Sequence, residues 1–135
     1  MSGALESLLT ILDLEQTGHD SFTGTSLPKV GERVFGGQVL AQSLVAAART
    51  VDPARLAHSV HGYFLRPGIV SEPITFSVER LRDGRSFSAR RTHALQGGAP
   101  ILSMITSFQL EQEGFEHSDA MPQDVPGPEE VPSVL

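Results

Sequence analysis

An α+β domain, a curved antiparallel sheet wrapped around one long central helix, is predicted by three features of this 135-residue sequence. The stretch Val34–Val51, VFGGQVLAQSLVAAARTV, is the only long segment with helical periodicity and no strong breaker after its first turn. Alternating runs separated by Pro, Gly and Asp-Gly signals follow it and read as a meander of antiparallel strands. No internal repeat is visible. A single helix cannot cover such a sheet unless the sheet curls around it.

In chain order, residues 3–12, GALESLLTIL, form a short amphipathic helix with Leu5, Leu8, Leu9 and Leu12 as its apolar edge. The run LDLEQTGHDSFTGTS reads as a first strand with a bend or hairpin near Gly18, and Leu27 to Arg33 as a loop leading to the central helix. In that helix Leu40, Leu44, Ala47, Ala48 and Val51 share a face. Ala41, Ser43 and Ala46 keep the rest slender, as in a buried rod. Gly36-Gly37 stands where a Ser, Thr or Asp cap is usual. Two glycines leave the first-turn N–H groups uncovered at the positive end of the helix dipole, open to a substrate carbonyl or phosphate. The other reading is that glycine, lacking a Cβ, merely lets the entering chain turn sharply. Asp52-Pro53 ends the helix.

Strands are expected over residues 57–65, 74–80, 86–96 and 100–110. In the first, the even positions His58, Val60, Gly62 and Phe64 form the side expected to look toward the helix. Arg82-Asp83-Gly84-Arg85 carries the strongest short hairpin signal, and Gly97-Gly98 provides another turn. In the last strand Leu102, Met104, Thr106, Phe108 and Leu110 lie on one face. The result is a hotdog domain over residues 1–110, whose open sheet edges favour a dimer. Residues 111–135 change character. Pro122, Pro126, Pro128 and Pro132 fall among acids with little periodicity, which is linker composition.

Charge is unevenly placed. The formal net charge is −6, but Glu111, Glu113, Glu116, Asp119, Asp124, Glu129 and Glu130 lie in the tail, which has no Lys or Arg, so the body is close to neutral. Arg80, Arg82, Arg85, Arg90 and Arg91 cluster within twelve residues. Such a patch suits a phosphate-bearing small molecule or is simply a solvated turn, and it is too limited for duplex nucleic acid. With no cysteine, thiol catalysis and cysteine-ligated metal are excluded. No run of apolar residues is long enough to span a membrane. The amino-terminal residues, interrupted by Glu6 and Asp13, do not read as a signal peptide, so the cytoplasm is the expected compartment.

At VFGGQVLAQSL, HSVHGYFLRPG and LRDGRSFSARR the sequence resembles the acyl-CoA thioesterase II (TesB-type) family, and the likeness runs into MPQDVPGPEEVPS. Members of that family are two hotdog repeats joined by a linker. The resemblance therefore implies an N-terminal repeat with residues 111–135 as the linker, expected to form a homodimer or to pair with a second hotdog repeat. It implies hydrolysis of fatty acyl-CoA to free acid and coenzyme A by water attack, with no cofactor. The Asp, Thr and Gln that activate water in the family belong to the second repeat. Ser59 stands here where that repeat has its Asp.

Thioester hydrolysis requires an activated water, donors for the developing oxyanion and grip on both halves of the substrate. The helix start at Gly36, Gly37 and Gln38 offers donors. Gln38 and Gln42, four apart, share a face and can orient a water or satisfy strand backbone. His58 is the candidate for proton chemistry, since an imidazole near a helix N-terminus stays neutral, and the resemblance sets its strand beside that helix start. A hydrogen-bonded core histidine is the alternative. Arg66, Arg85 and Arg90 are candidate phosphate contacts. His19, His93 and His117 have no metal-site spacing. The reading is an acyl-CoA thioesterase half; its rival is a non-catalytic acyl-CoA-binding or scaffold module whose catalytic repeat is missing.

Overall fold

Period-two patterning in the second half of the chain is realised as one sheet. The structure is a computed structural model that describes residues 3–27 and 31–133. Its elements are α1 (Gly3–Leu12), β1 (Glu15–Gly18), β2 (Ser21–Gly24), α2 (Gly36–Ala48), β3 (Arg55–Phe64), β4 (Ile74–Asp83), β5 (Phe87–Gln96) and β6 (Ala99–Leu110). The six strands pair antiparallel in the order β1-β2-β4-β5-β6-β3. β3 lies at the far edge of the sheet from β1 and β2, so the chain crosses through α2 from β2 to β3 before returning to β4 beside β2, and this crossover seats the helix on one face. The predicted bend near Gly18 is the β1–β2 hairpin. Part of the predicted 27–33 loop falls outside the described residues, as do residues 1, 2, 134 and 135.

Alternation fixes the faces. Ser88, Arg90, Thr92 and Ala94 of β5 are buried in register with Phe108, Thr106, Met104 and Leu102 of β6, forming the concave face. Phe22, Ile74, Phe76 and Val78 extend it on β2 and β4 and, with Val39 and Ala46 of α2, make the core. Phe76 and Ile74 are fully buried, a contribution of about 2–3 kcal/mol each in transfer free energy.

The helix turns a different side to the sheet from the one predicted. Its buried residues are Val39, Gln42, Ser43, Ala46 and Ala47, whereas Leu40 and Leu44 are only half-buried and Ala48 is exposed. Small side chains let the helix backbone sit close to the curved sheet, so the Ser/Ala stripe wins that contact and the leucines are left on the flank. The helix also stops at Ala48, because the Thr50 hydroxyl and N–H both donate to the Ala47 carbonyl. Beside this flank lies β3, the last strand of the sheet, paired only with β6 among the described residues. Its Leu56, Val60, Tyr63 and Phe64 are all exposed. An unpaired backbone edge and an open apolar flank therefore adjoin.

The two turn signals resolve differently. Gly97 and Gly98 both take positive φ (55° and 79°) between the paired Gln96 and Ala99, a two-residue hairpin turn of the kind only glycine adopts freely. Asp83-Gly84 is not such a turn. β4 continues to Asp83, and the connection Gly84–Ser86 is closed by the Gly84 N–H donating to the Phe87 carbonyl at 2.8 Å. Asp83 stays in the strand because Ser88 and Arg90 both donate to its Oδ1.

Two carboxylates couple this fold to pH. Hydrogen bonds from Arg80 hold Asp20 below the ordinary carboxylate range, and those from Arg90 and Ser88 do the same for Asp83. A depressed folded-state pKa adds stability above the unfolded value, about 4, that is lost as pH falls through the folded value. Asp83→Asn and Asp20→Asn are accordingly expected to flatten the acid limb below about pH 4 in urea-midpoint measurements and to lower stability at neutral pH.

Candidate active site

The start of α2 is uncapped by any side chain. Phe35 occupies the cap position in extended conformation (φ −67°, ψ 123°) and provides no side-chain cap. The N–H groups of Gln38 and Val39 both return to the Phe35 carbonyl, at 3.0 and 3.4 Å. Gly36 and Gly37 are thus the residues whose amides have no acceptor among the described residues, and Gln38, expected as a donor, has already spent its own. Absence of a Cβ matters at both glycines. One at Gly36 would stand 3.0 Å from the Phe64 ring, and one at Gly37 would stand 2.5 Å from the Phe35 ring.

Two cavities flank these amides. On one side, a space of about 400 Å³ lies between α1 and α2 and reaches Gly37. On the other, a space of about 490 Å³ reaches Gly36 and is lined by Arg33, Phe64, Arg66 and Gly68. Val34 borders both. The first is apolar and the second carries two guanidinium groups. No Asp or Glu lines either cavity among the described residues. The same residues contain no group of His, Cys, Asp and Glu able to hold a metal.

His58 does not face this place. A β-bulge between Ala57 and Ser59 inserts one extra residue opposite the Ser107–Phe108 step of β6. One inserted residue moves a side chain to the other face of a sheet. Val60, Gly62 and Phe64 keep the predicted concave side, paired with Thr106, Met104 and Leu102, but His58 joins the convex side. There its Nε2 lies 2.9 Å from the Ser107 hydroxyl and its ring meets Phe87 edge-on at 5.8 Å. Parity counting cannot anticipate a bulge, and nothing in HSVHG announces one.

The remaining candidates divide. Gln42 is fully buried, and its Nε2 donates to the Ile11 carbonyl at 2.8 Å and the Thr25 carbonyl at 3.0 Å. It staples α1 and the segment after β2 to the helix and is unavailable to a water. Gln38 lines the apolar cavity while its Nε2 donates to Ser26 Oγ and Gln42 Oε1. Arg66 lines the polar cavity, donating one N–H to the Pro100 carbonyl. Arg90 is a correction. Its side chain is 1% exposed and all five N–H donors are used: Nε to Thr50 Oγ1, Nη1 to the Arg82 and Ala89 carbonyls, Nη2 to the Thr50 carbonyl and Asp83 Oδ1. No donor is left for a phosphate. Arg85 sits in the adjoining exposed connection, which Arg55 ties down by donating to the Gly84 and Arg85 carbonyls. Both belong to the C-terminal end of α2, a helix about 20 Å long at 1.5 Å per residue, so they are remote from Gly36. Arg33 and Phe64, overlooked in the sequence, are at the site instead. The signal for Arg33 was its place three residues before Gly36.

A six-stranded antiparallel sheet curled on one helix, with cavities at the uncapped helix start, defines a single hotdog unit. The family model described as the acyl-CoA thioesterase N-terminal domain matches residues 24–109, and the chain belongs to that family. It is 43% identical over 130 residues to acyl-CoA thioesterase 2 of Haemophilus influenzae, covering 96% of this chain and 45% of that protein. It is 43% identical over 132 residues to human acyl-coenzyme A thioesterase 8, covering 96% and 41%. Among solved structures, the acyl-CoA thioesterase II TesB2 of Mycobacterium marinum superposes with a TM-score of 0.82 at 51% identity, covering 93% of this chain and 47% of that one. The chain thus spans somewhat under half the length of these relatives.

Proposed function

We propose that this chain is one half of an acyl-CoA thioesterase, binding fatty acyl-CoA with the thioester carbonyl at the Gly36 and Gly37 amides. The observation that carries the reading is the pair of unclaimed N–H groups set between an apolar and a cationic cavity. Such donors, fixed before the substrate arrives, stabilise the oxyanion that forms when water adds to the carbonyl. Arg33 and Arg66 then face the phosphate-bearing side of the substrate. No Asp or Glu among the described residues lines either cavity, and we therefore assign activation of the water to a second hotdog unit. That unit covers the β3 edge and the Leu40/Leu44 flank, as a second copy or as a following repeat reached through residues 111–133. Those residues suit a tether, having no regular structure beyond one 3₁₀ turn at Pro128–Glu130. No helix among the described residues is long and apolar enough to cross a membrane.

Thiol release from decanoyl-CoA tests the reading. Turnover is expected when the second unit is in place and is expected to be unchanged by His58→Ala, whose side chain lies on the convex face. Binding of acyl-CoA without turnover under the same conditions would leave the scaffold-module alternative.

A further inference from the structure

We infer that the cavity between α1 and the first turns of α2 is a chamber for the acyl chain, with α1 the wall that sets how long a chain fits. The inference rests on the thioesterase reading above and adds a specificity determinant to it. At about 400 Å³ the cavity falls within the range of small-ligand sites. Gln38 is its only polar lining side chain among the described residues, and the Gln38 Nε2 is already occupied by Ser26 and Gln42. Apart from Gln38 Oε1 and the Gly37 amide at its edge, the described lining offers no polar partner, which selects an unsubstituted aliphatic chain.

α1 has not spent its apolar edge on packing. Ile11 is its one buried residue, while Leu5, Leu8 and Leu9 are 41%, 46% and 54% exposed. Leu8 and Leu12 nevertheless line the cavity, so the edge borders a space instead of a core. An aliphatic chain in that space would remove apolar surface from water at roughly 25 cal/mol per Å². The occupant is further defined by continuity. Gly37 borders the chamber, Gly36 borders the cavity of Arg33 and Arg66, and Val34 borders both. Apolar room, bare amides and cationic room follow in the order of tail, carbonyl and phosphates in an acyl-CoA.

Dodecanoate, which carries the chain without coenzyme A, is the probe for the unaltered 135-residue chain. Titration into ¹⁵N-labelled protein is expected to shift the amide resonances of Leu8, Gly37 and Ala41. Ala41→Phe, which fills the chamber from α2, should weaken dodecanoate binding about tenfold, equivalent to keeping one or two methylenes out. Leu12→Ala, which enlarges it, should move the preference toward hexadecanoate. If Ala41→Phe fails to fold, the shift map and the Leu12→Ala preference decide. No binding, shifts confined to Val60 and Phe64, or chain-length preference unmoved by Leu12→Ala overturns the chamber. So does loss of dimer mass in Leu8→Asp without any change in dodecanoate binding, since α1 would then be a protein contact. Decanoyl-CoA hydrolysis is scored separately: turnover with no dodecanoate in the chamber keeps the thioesterase reading and removes this one.

Discussion

Replacing Gly36 by proline should lower kcat for acyl-CoA hydrolysis by on the order of 10²-fold relative to Gly36→Ala, the loss typical of one oxyanion donor. The pair of substitutions isolates a single hydrogen. Gly36 is the first residue of α2, the helical position where proline is best tolerated because its missing N–H has no partner in the helix. Phe35 before it is already extended, as a residue preceding proline must be. Both variants bring a Cβ to 3.0 Å from the Phe64 ring, so that crowding is common to them. Only the proline removes the amide. Equal rates for the two variants would mean that the Gly36 N–H does not meet the oxyanion.

Arg90→Met should lower the unfolding free energy by about 3 kcal/mol, toward the lower end for removing one partner from a buried ion pair. Methionine fills much of the space but leaves five acceptors without their donor: the Thr50, Arg82 and Ala89 carbonyls, Thr50 Oγ1 and Asp83 Oδ1. Half-exposed Asp83 recovers hydration and retains the Ser88 hydroxyl, which keeps the loss from rising further. A shifted urea midpoint at constant m-value is the measurement. With the site some 20 Å along the helix, substrate KM should be unaffected. A change in KM at constant stability would restore Arg90 to substrate binding.

Much of this architecture was legible because it follows from periodicities that local physics enforces. Ile74, Phe76 and Val78 alternate with polar residues and are buried with Phe22 and Ala94, as a half-covered strand requires. GALESLLTIL is helical over the predicted span. The cap missing from the sequence at Gly36-Gly37 is missing in the structure too, where the helix start has no side-chain cap. What escaped depends on contacts between distant residues. One inserted residue at His58 reversed its face, and no local pattern encodes which strand position will bulge. The Arg82–Arg91 cluster read as a charged patch, yet Arg90 is interior because Thr50, Asp83 and the Arg82 carbonyl converge on it from other elements. Leu40 and Leu44 read as core by hydrophobicity; the sheet preferred the slimmer side of the helix and left them on the flank that a second unit is proposed to cover.

The functional account turns on where the substrate lies, and a nonhydrolysable ketone analogue of decanoyl-CoA, with a methylene inserted between sulfur and the retained carbonyl, titrated into the ¹⁵N-labelled chain, reports that position without requiring turnover. The amide resonances of Gly36 and Gly37, together with those of Arg33 and Arg66, are predicted to move first and furthest. Movement concentrated instead in the Gly84–Arg91 hairpin, or on the convex face around His58 and Ser107, would contradict the account.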